Sequence, residues 1–198
     1  MKNTTKTTNK VIKSSPFRWI AAVAIFALIA GLCFINFSNE DQVYEDHFVA
    51  FEDELSEEMD LMLSTRGAGD ESYTSLRMIR EGMEHYNNKE YDKAIPIFQE
   101  YLEKNTEASD YNEIKFYLGV SFLGQGEAER SAKIFEAIAQ LEGQRFQEDA
   151  KWYLSLAYAR TGDTDKARAQ LQDLASSEKY GAKAEKILNP TKTKVAFR

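Results

Sequence analysis

A pattern of about 36 residues occurs three times in the C-terminal half of this 198-residue chain. The three copies span Gly82–Leu102, Gly119–Ala139 and Ser155–Ala175. Each copy contains the end of an amphipathic helix, a short polar turn and a second amphipathic helix. Repeats of this length stack side by side, because one helix pair cannot bury its own apolar face. The pattern therefore predicts an all-α solenoid that acts by presenting a surface.

The periodicity of the apolar residues sets the helix boundaries. Helix pairs are predicted near residues 72–87 with 91–104, 111–124 with 128–140, and 147–161 with 164–175. A last helix is predicted near residues 178–188, before the stop signal Asn189-Pro190. The sustained alternation of apolar and polar residues that marks strands is absent from the sequence.

The N-terminal part of the chain has a different composition. Residues 1–17 are polar and are expected to be disordered, whereas residues 19–39 carry no charged side chain. A helix of about 21 residues is roughly 31 Å long, enough to cross the hydrocarbon core of a membrane. The apolar stretch is too long for a cleaved signal peptide and does not end in small residues. Residues 18–39 are therefore predicted to form one uncleaved transmembrane helix.

The charges on either side of this span differ in sign. Residues 1–18 contain five Lys or Arg and no acid, whereas residues 40–60 contain ten acids and no Lys or Arg. Basic flanks remain in the cytoplasm, so the N-terminus is predicted inside and the helical domain outside. Residues 40–198 hold 20 of the 25 basic residues and all 32 acids of the chain. This acidic balance argues against nucleic acid as a partner.

Candidate catalytic and ligand-binding groups are scarce. The two histidines, His47 and His85, have no second ligand at metal-binding spacing on a helix face. The single cysteine, Cys33, lies in the predicted span and cannot form an intrachain disulfide. No enzymatic activity, metal or cofactor is therefore expected. Ala27 and Gly31 form a small-xxx-small pattern that would permit weak homo-oligomerisation through the span.

Residues 40–71 are predicted to form an acidic juxtamembrane helix followed by a linker. The apolar residues in this region follow at spacings of four, three and four, so that they share one helix face. They are Tyr44, Phe48, Phe51 and Leu55. A segment of loop composition follows at residues 64–70.

The three copies resemble tetratricopeptide repeats. A small residue stands in the middle of the first helix of each copy, and these residues are Gly82, Gly119 and Ser155. A polar residue or glycine occupies the turn, and an alanine or serine comes early in the second helix, at Ala94, Ser131 and Ala167. A large apolar residue follows four positions later, at Phe98, Phe135 and Leu171. The resemblance implies a repeat domain over residues 72–189 that ends in a capping helix, with a basic tail at residues 190–198.

The resemblance also implies a binding groove lined by the first helix of each repeat. Its predicted lining residues are Ile79, Met83, Tyr86, Phe116, Val120, Leu123, Trp152, Leu156 and Arg160. This lining is mostly apolar, which is typical of an interaction site. Two occupants are considered, a segment of a partner protein and the chain's own residues 43–62. In the second case, the groove at repeats two and three is expected to stay open.

Together, the span, the charges and the repeats predict a membrane-anchored, non-catalytic scaffold for protein–protein interactions. The layout resembles bacterial single-pass proteins whose repeat domain lies on the extracytoplasmic, periplasmic side of the inner membrane. One alternative is an envelope-assembly or export-associated chaperone that binds unfolded apolar segments. Another is a membrane regulator whose basic N-terminus holds a cytoplasmic factor.

Overall fold

The computed structural model describes residues 42–65, 71–143 and 145–189. The segments predicted as cytoplasmic (1–17), transmembrane (18–39) and basic tail (190–198) lie outside the described residues. Within the described ranges the chain contains helices and no strand, in agreement with the all-α prediction. None of the helices described is both long enough and apolar enough to cross a membrane.

The described part of the chain contains nine α-helices and one short 3₁₀ turn. The first helix, α1, includes residues 42–47. The others are α2 (Ser56–Thr65), α3 (Glu71–Asn87), α4 (Tyr91–Lys104), α5 (Tyr111–Gly124), α6 (Ala128–Ala139), α7 (Gln147–Thr161), α8 (Thr164–Asp173), the 3₁₀ turn Leu174–Ser176, and α9 (Gly181–Leu188). The pairs α3–α4, α5–α6 and α7–α8 lie within two residues of the predicted boundaries. We call α3, α5 and α7 the A helices, and α4, α6 and α8 the B helices.

The helices stack in chain order, and each one packs against the next from α2 to α9. Helix α5 lies in the interior of this stack, so its residues 116–123 are all buried. A helix that is enclosed on all sides needs apolar residues around its whole circumference, as α5 has. The buried serine hydroxyls of the A and B helices donate to backbone carbonyls. Ser131, for example, donates a 2.9 Å hydrogen bond to the carbonyl of Gly119.

Glycine permits a close approach between the two helices of the first and second repeats. A Cβ atom added to Gly82 would lie 2.5 Å from the ring of Phe98, and one added to Gly119 would lie 2.9 Å from the ring of Phe135. Both rings are fully buried. The third repeat has Ser155 at the corresponding position, and its B helix offers the smaller Leu171, four residues after Ala167. Each repeat thus combines a small A-helix residue with a large B-helix one.

The turn inside each repeat contains one residue with left-handed backbone conformation. These residues are Lys89 (φ 60°), Gly126 (φ 87°) and Gly162 (φ 80°). Glycine adopts this conformation without steric penalty, whereas a residue with a Cβ does not. The first repeat therefore carries local strain that the other two avoid.

The solenoid ends in a short cap. Tyr180, just before α9, stacks on Trp152 with ring centroids 5.0 Å apart. Its hydroxyl donates a hydrogen bond to the buried carboxylate of Asp149, which also pairs with Lys179 at 2.7 Å. The cap thus covers Trp152 on the last A helix described. Helix α9 begins at Gly181, three residues later than the sequence predicts.

Candidate protein-binding site

The nine residues predicted to line the groove all lie on the A helices. Eight of them are at most 3% exposed, and these are Ile79, Met83, Tyr86, Phe116, Val120, Leu123, Trp152 and Leu156. The ninth, Arg160, keeps 32% of its side chain exposed. An apolar face of this extent is buried only if another part of the protein covers it.

Residues 42–60 cover this face, and we call them the covering segment. They cross the repeats in reverse order. Val49 contacts Tyr153 of the third repeat, Glu52 contacts Tyr117 of the second, and Asp60 contacts Arg80 of the first. The A-helix face is therefore occupied over all three repeats. The expectation that repeats two and three would remain open does not agree with this arrangement.

The covering segment is not the continuous helix that the apolar spacing predicts. It is helical at residues 42–47 and again from Ser56, but residues 48–54 have no regular secondary structure. Non-helical backbone spans up to about 3.3 Å per residue, compared with 1.5 Å in a helix. A short non-helical segment is therefore long enough to cross several helices. Three members of the predicted stripe, Tyr44, Phe51 and Leu55, are nevertheless buried.

Tyrosine hydroxyls hold the backbone of the covering segment. Tyr153 donates to the carbonyl of Val49 at 2.7 Å, and Tyr86 donates to that of Phe51 at 2.8 Å. Tyr117 donates to the carbonyl of Glu52 at 3.1 Å. The same Tyr117 oxygen accepts the N–H of Glu54, also at 3.1 Å. Each A helix thus supplies one phenol to a stretch of backbone whose carbonyls lack helical partners.

Burial moves the ionisation of these phenols further above physiological pH. It raises the pKa of Tyr86, of Tyr117 and of Tyr153 above the ordinary tyrosine value, because an ionised phenolate would lose its hydration. A protonated phenol can donate a hydrogen bond at any physiological pH. The three contacts to backbone carbonyls are therefore present across that range.

Phe51 is the apolar anchor of the covering segment. Its ring meets four aromatic rings edge-on, at centroid distances of 5.0 Å to Phe116, 5.3 Å to Phe146, 6.1 Å to Tyr117 and 6.4 Å to Tyr153. Edge-to-face pairs at such distances are favourable beyond the area that they bury.

Ion pairs accompany the apolar contacts along the covering segment. Arg160 pairs with Glu45 at 2.7 Å, Arg145 pairs with Glu54 at 3.0 Å, and Arg80 pairs with Asp60 at 2.5 Å. In every pair the carboxylate comes from the covering segment and the guanidinium from the repeat domain. The side chains in these pairs are 32–66% exposed, so solvent screens them.

Asp53 fixes the point where the covering segment becomes helical again. One of its carboxylate oxygens accepts the N–H groups of Leu55 and Ser56, both at 2.9 Å. The other accepts a hydrogen bond from the side-chain amide of Asn87 on α3. Asp53 thus caps α2 and attaches it to the first repeat.

Two of the tyrosines that bind the backbone of the covering segment are absent from the sequence-based set. Tyr117 and Tyr153 each follow a predicted lining residue, in the pairs Phe116-Tyr117 and Trp152-Tyr153, which are 36 positions apart. That recurrence of adjacent aromatic residues is the signal that points to them. Of the predicted residues, Phe116 contacts the covering segment through Phe51, and Trp152 contacts it through His47 and also stacks on Tyr180 of the cap.

A cleft of about 500 Å³ lies between α2 and the first two repeats. Its polar groups are bonded to one another: Tyr101 donates to Asp110 at 2.6 Å, and Arg145 contacts Glu113 at 3.4 Å. Burial raises the pKa of Glu113, opposed by the charge of Arg145. Throughout the described ranges, no buried side-chain nitrogen or oxygen lacks a hydrogen-bond partner, and no group of His, Cys, Asp and Glu could hold a metal.

A family profile described as tetratricopeptide repeat matches residues 79–145, and a second profile with the same description matches residues 149–178. Both segments resemble this repeat. The all-helical architecture and the two matches fit a tetratricopeptide-like helical solenoid. Tetratricopeptide repeat proteins are typically non-catalytic scaffolds that bind proteins. No curated protein and no solved structure matches the chain.

Proposed function

We propose that this protein is a membrane-anchored, non-catalytic scaffold whose tetratricopeptide-like domain binds other proteins outside the cytoplasm. Residues 18–39 would anchor it in a bacterial inner membrane, with the N-terminus in the cytoplasm. The uncharged stretch 19–39 and the opposite charges on its two sides support this topology.

The observation that carries the proposal is the organisation of the A-helix face. Three A helices each offer a buried phenol to the backbone of a non-helical segment, and Phe51 fills an aromatic pocket among them. Hydrogen bonds to the main chain combined with a pocket for an anchor side chain are the usual means of recognising an extended peptide. The face is thus built to hold peptide, which is the chemistry of a protein-binding domain.

The topology is tested by protease protection in cells of the native host. With the outer barrier permeabilised and the inner membrane intact, added protease should remove epitopes in the repeat domain, such as one after residue 189. An epitope placed before residue 18 should be digested only after the inner membrane is lysed. Digestion of the N-terminal epitope from outside, or release of the chain by alkaline washing, would contradict the anchored topology.

The interaction is tested by site-specific photocrosslinking in the same cells. Val49 and Leu61, which are 73% and 67% exposed, are suitable sites, because Val49 lies in the covering segment, Leu61 follows that segment on α2, and neither is part of the core. Glu129 and Arg168, exposed on the B helices α6 and α8, are the matched controls. We expect crosslinks to a discrete protein from Val49 or Leu61 and not from the control sites. Equal yields from all four sites, or none from any, would argue against a binding function at this face.

A further inference from the structure

The covering segment has the properties of a bound peptide ligand that happens to belong to the same chain. We propose that the A-helix face accepts, in exchange for it, an extended segment of a partner protein that carries an aromatic residue followed by acids. The template for this chemistry is the sequence Phe51-Glu52-Asp53-Glu54. The inference rests on the proposed function and specifies the partner for the same site.

Recognition of the backbone makes an exchange of occupants chemically feasible. The hydroxyls of Tyr86, Tyr117 and Tyr153 donate to carbonyl oxygens of the covering segment and not to its side chains. Any peptide that adopts the same extended course offers carbonyls at the same spacing. These contacts therefore fix the backbone conformation of the occupant but do not select its side chains.

The pocket around Phe51 selects an aromatic side chain. Four aromatic rings surround it edge-on, and the ammonium group of Lys179 lies 4.9 Å from the centre of its ring. An aliphatic side chain would fill part of the volume, but it would offer neither the edge-to-face contacts nor the negative ring face that attracts a cation. A partner segment therefore needs Phe, Tyr or Trp at this position.

Charge selects the residues around the anchor. If the covering segment left, Arg80, Arg145 and Arg160 would lose the carboxylates of Asp60, Glu54 and Glu45. Residues 40–198 as a whole hold 32 acids and 20 bases, so a row of arginines along one face departs from the general composition. Complementary charge favours an acidic occupant and disfavours a basic one.

The covering segment is weakly held between its apolar anchors. Residues 48–54 form no regular secondary structure, Val49 is 73% exposed, and the ion pairs are screened by solvent. Segments with such features open more readily than a packed core. The competing segment of the same chain nevertheless has a high effective concentration, so a partner peptide should bind the unmodified protein poorly. Weakening the internal segment should reveal the site.

The test uses the full chain, purified in detergent, and a fluorescent peptide that corresponds to residues 43–60. Binding is measured by fluorescence anisotropy for the unmodified chain and for the variant Phe51→Ala. We expect the variant to bind the peptide at least tenfold more tightly than the unmodified chain does. Equal or weaker binding by a folded variant would overturn the inference.

Two control peptides test the proposed selectivity. One carries Ala at the position of Phe51, and it should bind the variant chain at least tenfold more weakly. The other carries Gln or Asn in place of the acids at positions 52–54, and it should bind severalfold more weakly and with a smaller dependence on salt. Equal binding of all three peptides would indicate nonspecific adhesion to an apolar surface and would contradict the proposal.

A second variant avoids any change to the core. Glu45→Lys combined with Glu54→Lys places like charges opposite Arg160 and Arg145, at positions that are exposed. Circular dichroism should show an unchanged helix content, and peptide binding should again be stronger than in the unmodified chain. If this folded variant fails to bind the peptide, the inference is wrong even where Phe51→Ala does not fold.

Two further results distinguish this inference from two alternatives, a second copy of the chain as the occupant and a partner that binds elsewhere. Light scattering that showed a dimer of the Phe51→Ala chain, which the peptide could not dissociate, would identify the occupant as a second copy and overturn the partner proposal. A discrete crosslinked protein at Val49 or Leu61, together with no peptide binding by either variant, would also overturn it. In that case the proposed function would stand, with the partner on the outer side of the covering segment.

Discussion

The phenol of Tyr153 donates a 2.7 Å hydrogen bond to the carbonyl of Val49, which precedes it by 104 residues. Tyr117 and Tyr86 make equivalent long-range contacts to Glu52 and Phe51. A solenoid normally contains contacts only within a repeat and between neighbours, so its repeats can unfold separately. Here one segment is bonded to all three repeats. It links their stabilities, and we expect the domain to unfold more cooperatively than a bare array of the same length.

Tyr153→Phe tests this link, because it removes only the hydroxyl. The loss of one net hydrogen bond should lower the free energy of unfolding by about 0.5–1.5 kcal/mol. Amide exchange at residues 48–54 should become faster. Tyr111→Phe is the matched control, since the Tyr111 hydroxyl has no hydrogen bond to the described residues and its ring contact with Lys115 would be retained. Urea unfolding and hydrogen exchange measure the two effects. Equal responses of the two variants would show that the contact to Val49 contributes nothing.

Gly119→Ser tests the close approach of α5 and α6. The new Cβ would lie 2.9 Å from the ring of Phe135, which is fully buried and cannot move freely. Overpacking of this kind should destabilise the domain by about 1–3 kcal/mol. Adding Phe135→Leu reproduces the combination of Ser155 and Leu171 found in the third repeat. The double variant should lose about 1 kcal/mol less free energy of unfolding than the sum of the two single losses, as measured in a double-mutant cycle by urea unfolding. Strictly additive losses would contradict the idea that a smaller B-helix side chain makes room for the serine.

Removing glycine from the turn of the second repeat and introducing it into the turn of the first should change the free energy of unfolding differently. Gly126 has φ 87°, and an added Cβ would meet no atom within 4 Å, so Gly126→Ala should act through the backbone alone. We expect it to cost about 1 kcal/mol. Lys89, at φ 60°, already has a Cβ in this region. Lys89→Gly should therefore be neutral or stabilising by up to about 1 kcal/mol, because relief of strain offsets the greater freedom of the unfolded chain. Thermal unfolding of both variants tests the contrast.

The repeat helices could be predicted from the sequence because their signals are local. Apolar periodicity, the left-handed turn positions and the small residues at Gly82 and Gly119 lie within single repeats. The structure therefore reproduces the predicted ends of α3 to α7 within two residues. The end of α8 is less regular: residues 174–176 form a 3₁₀ turn, although they continue the same apolar pattern.

The covering segment could be predicted only in part, because long-range contacts determine its backbone. The spacing of Tyr44, Phe51 and Leu55 correctly indicates that these residues are buried. The same spacing suggests a continuous helix, whereas the backbone of residues 49–54 is hydrogen-bonded to tyrosines on three different helices. No periodicity within the segment reveals partners that lie 35 to 104 residues away. The only indication of these partners in the sequence is that Tyr117 and Tyr153 each follow another aromatic residue.

Asp53 makes the attachment of the covering segment dependent on pH. Burial would raise the pKa of this carboxyl, but hydrogen bonds from Ser56, Asn87 and Leu55 outweigh it, and the pKa lies below its ordinary value. The folded chain therefore binds fewer protons at this site than the unfolded chain does. The stabilisation is complete above the ordinary aspartate pKa of about 4 and is lost as the pH falls through the lower, folded-state pKa.

Asp53→Asn should remove this contribution. The asparagine side chain can still accept a hydrogen bond at the start of α2, but it cannot titrate. We expect the variant to be less stable than the unmodified chain at pH 7 and the difference to shrink steadily below pH 4. Asp165→Asn, at an exposed position of α8, is the matched control and should leave the acid branch of the stability curve unchanged. Urea unfolding between pH 2.5 and 7 gives the curves. A difference between Asp53→Asn and the unmodified chain that stays constant over this range would show that the charge of Asp53 does not hold the covering segment in place.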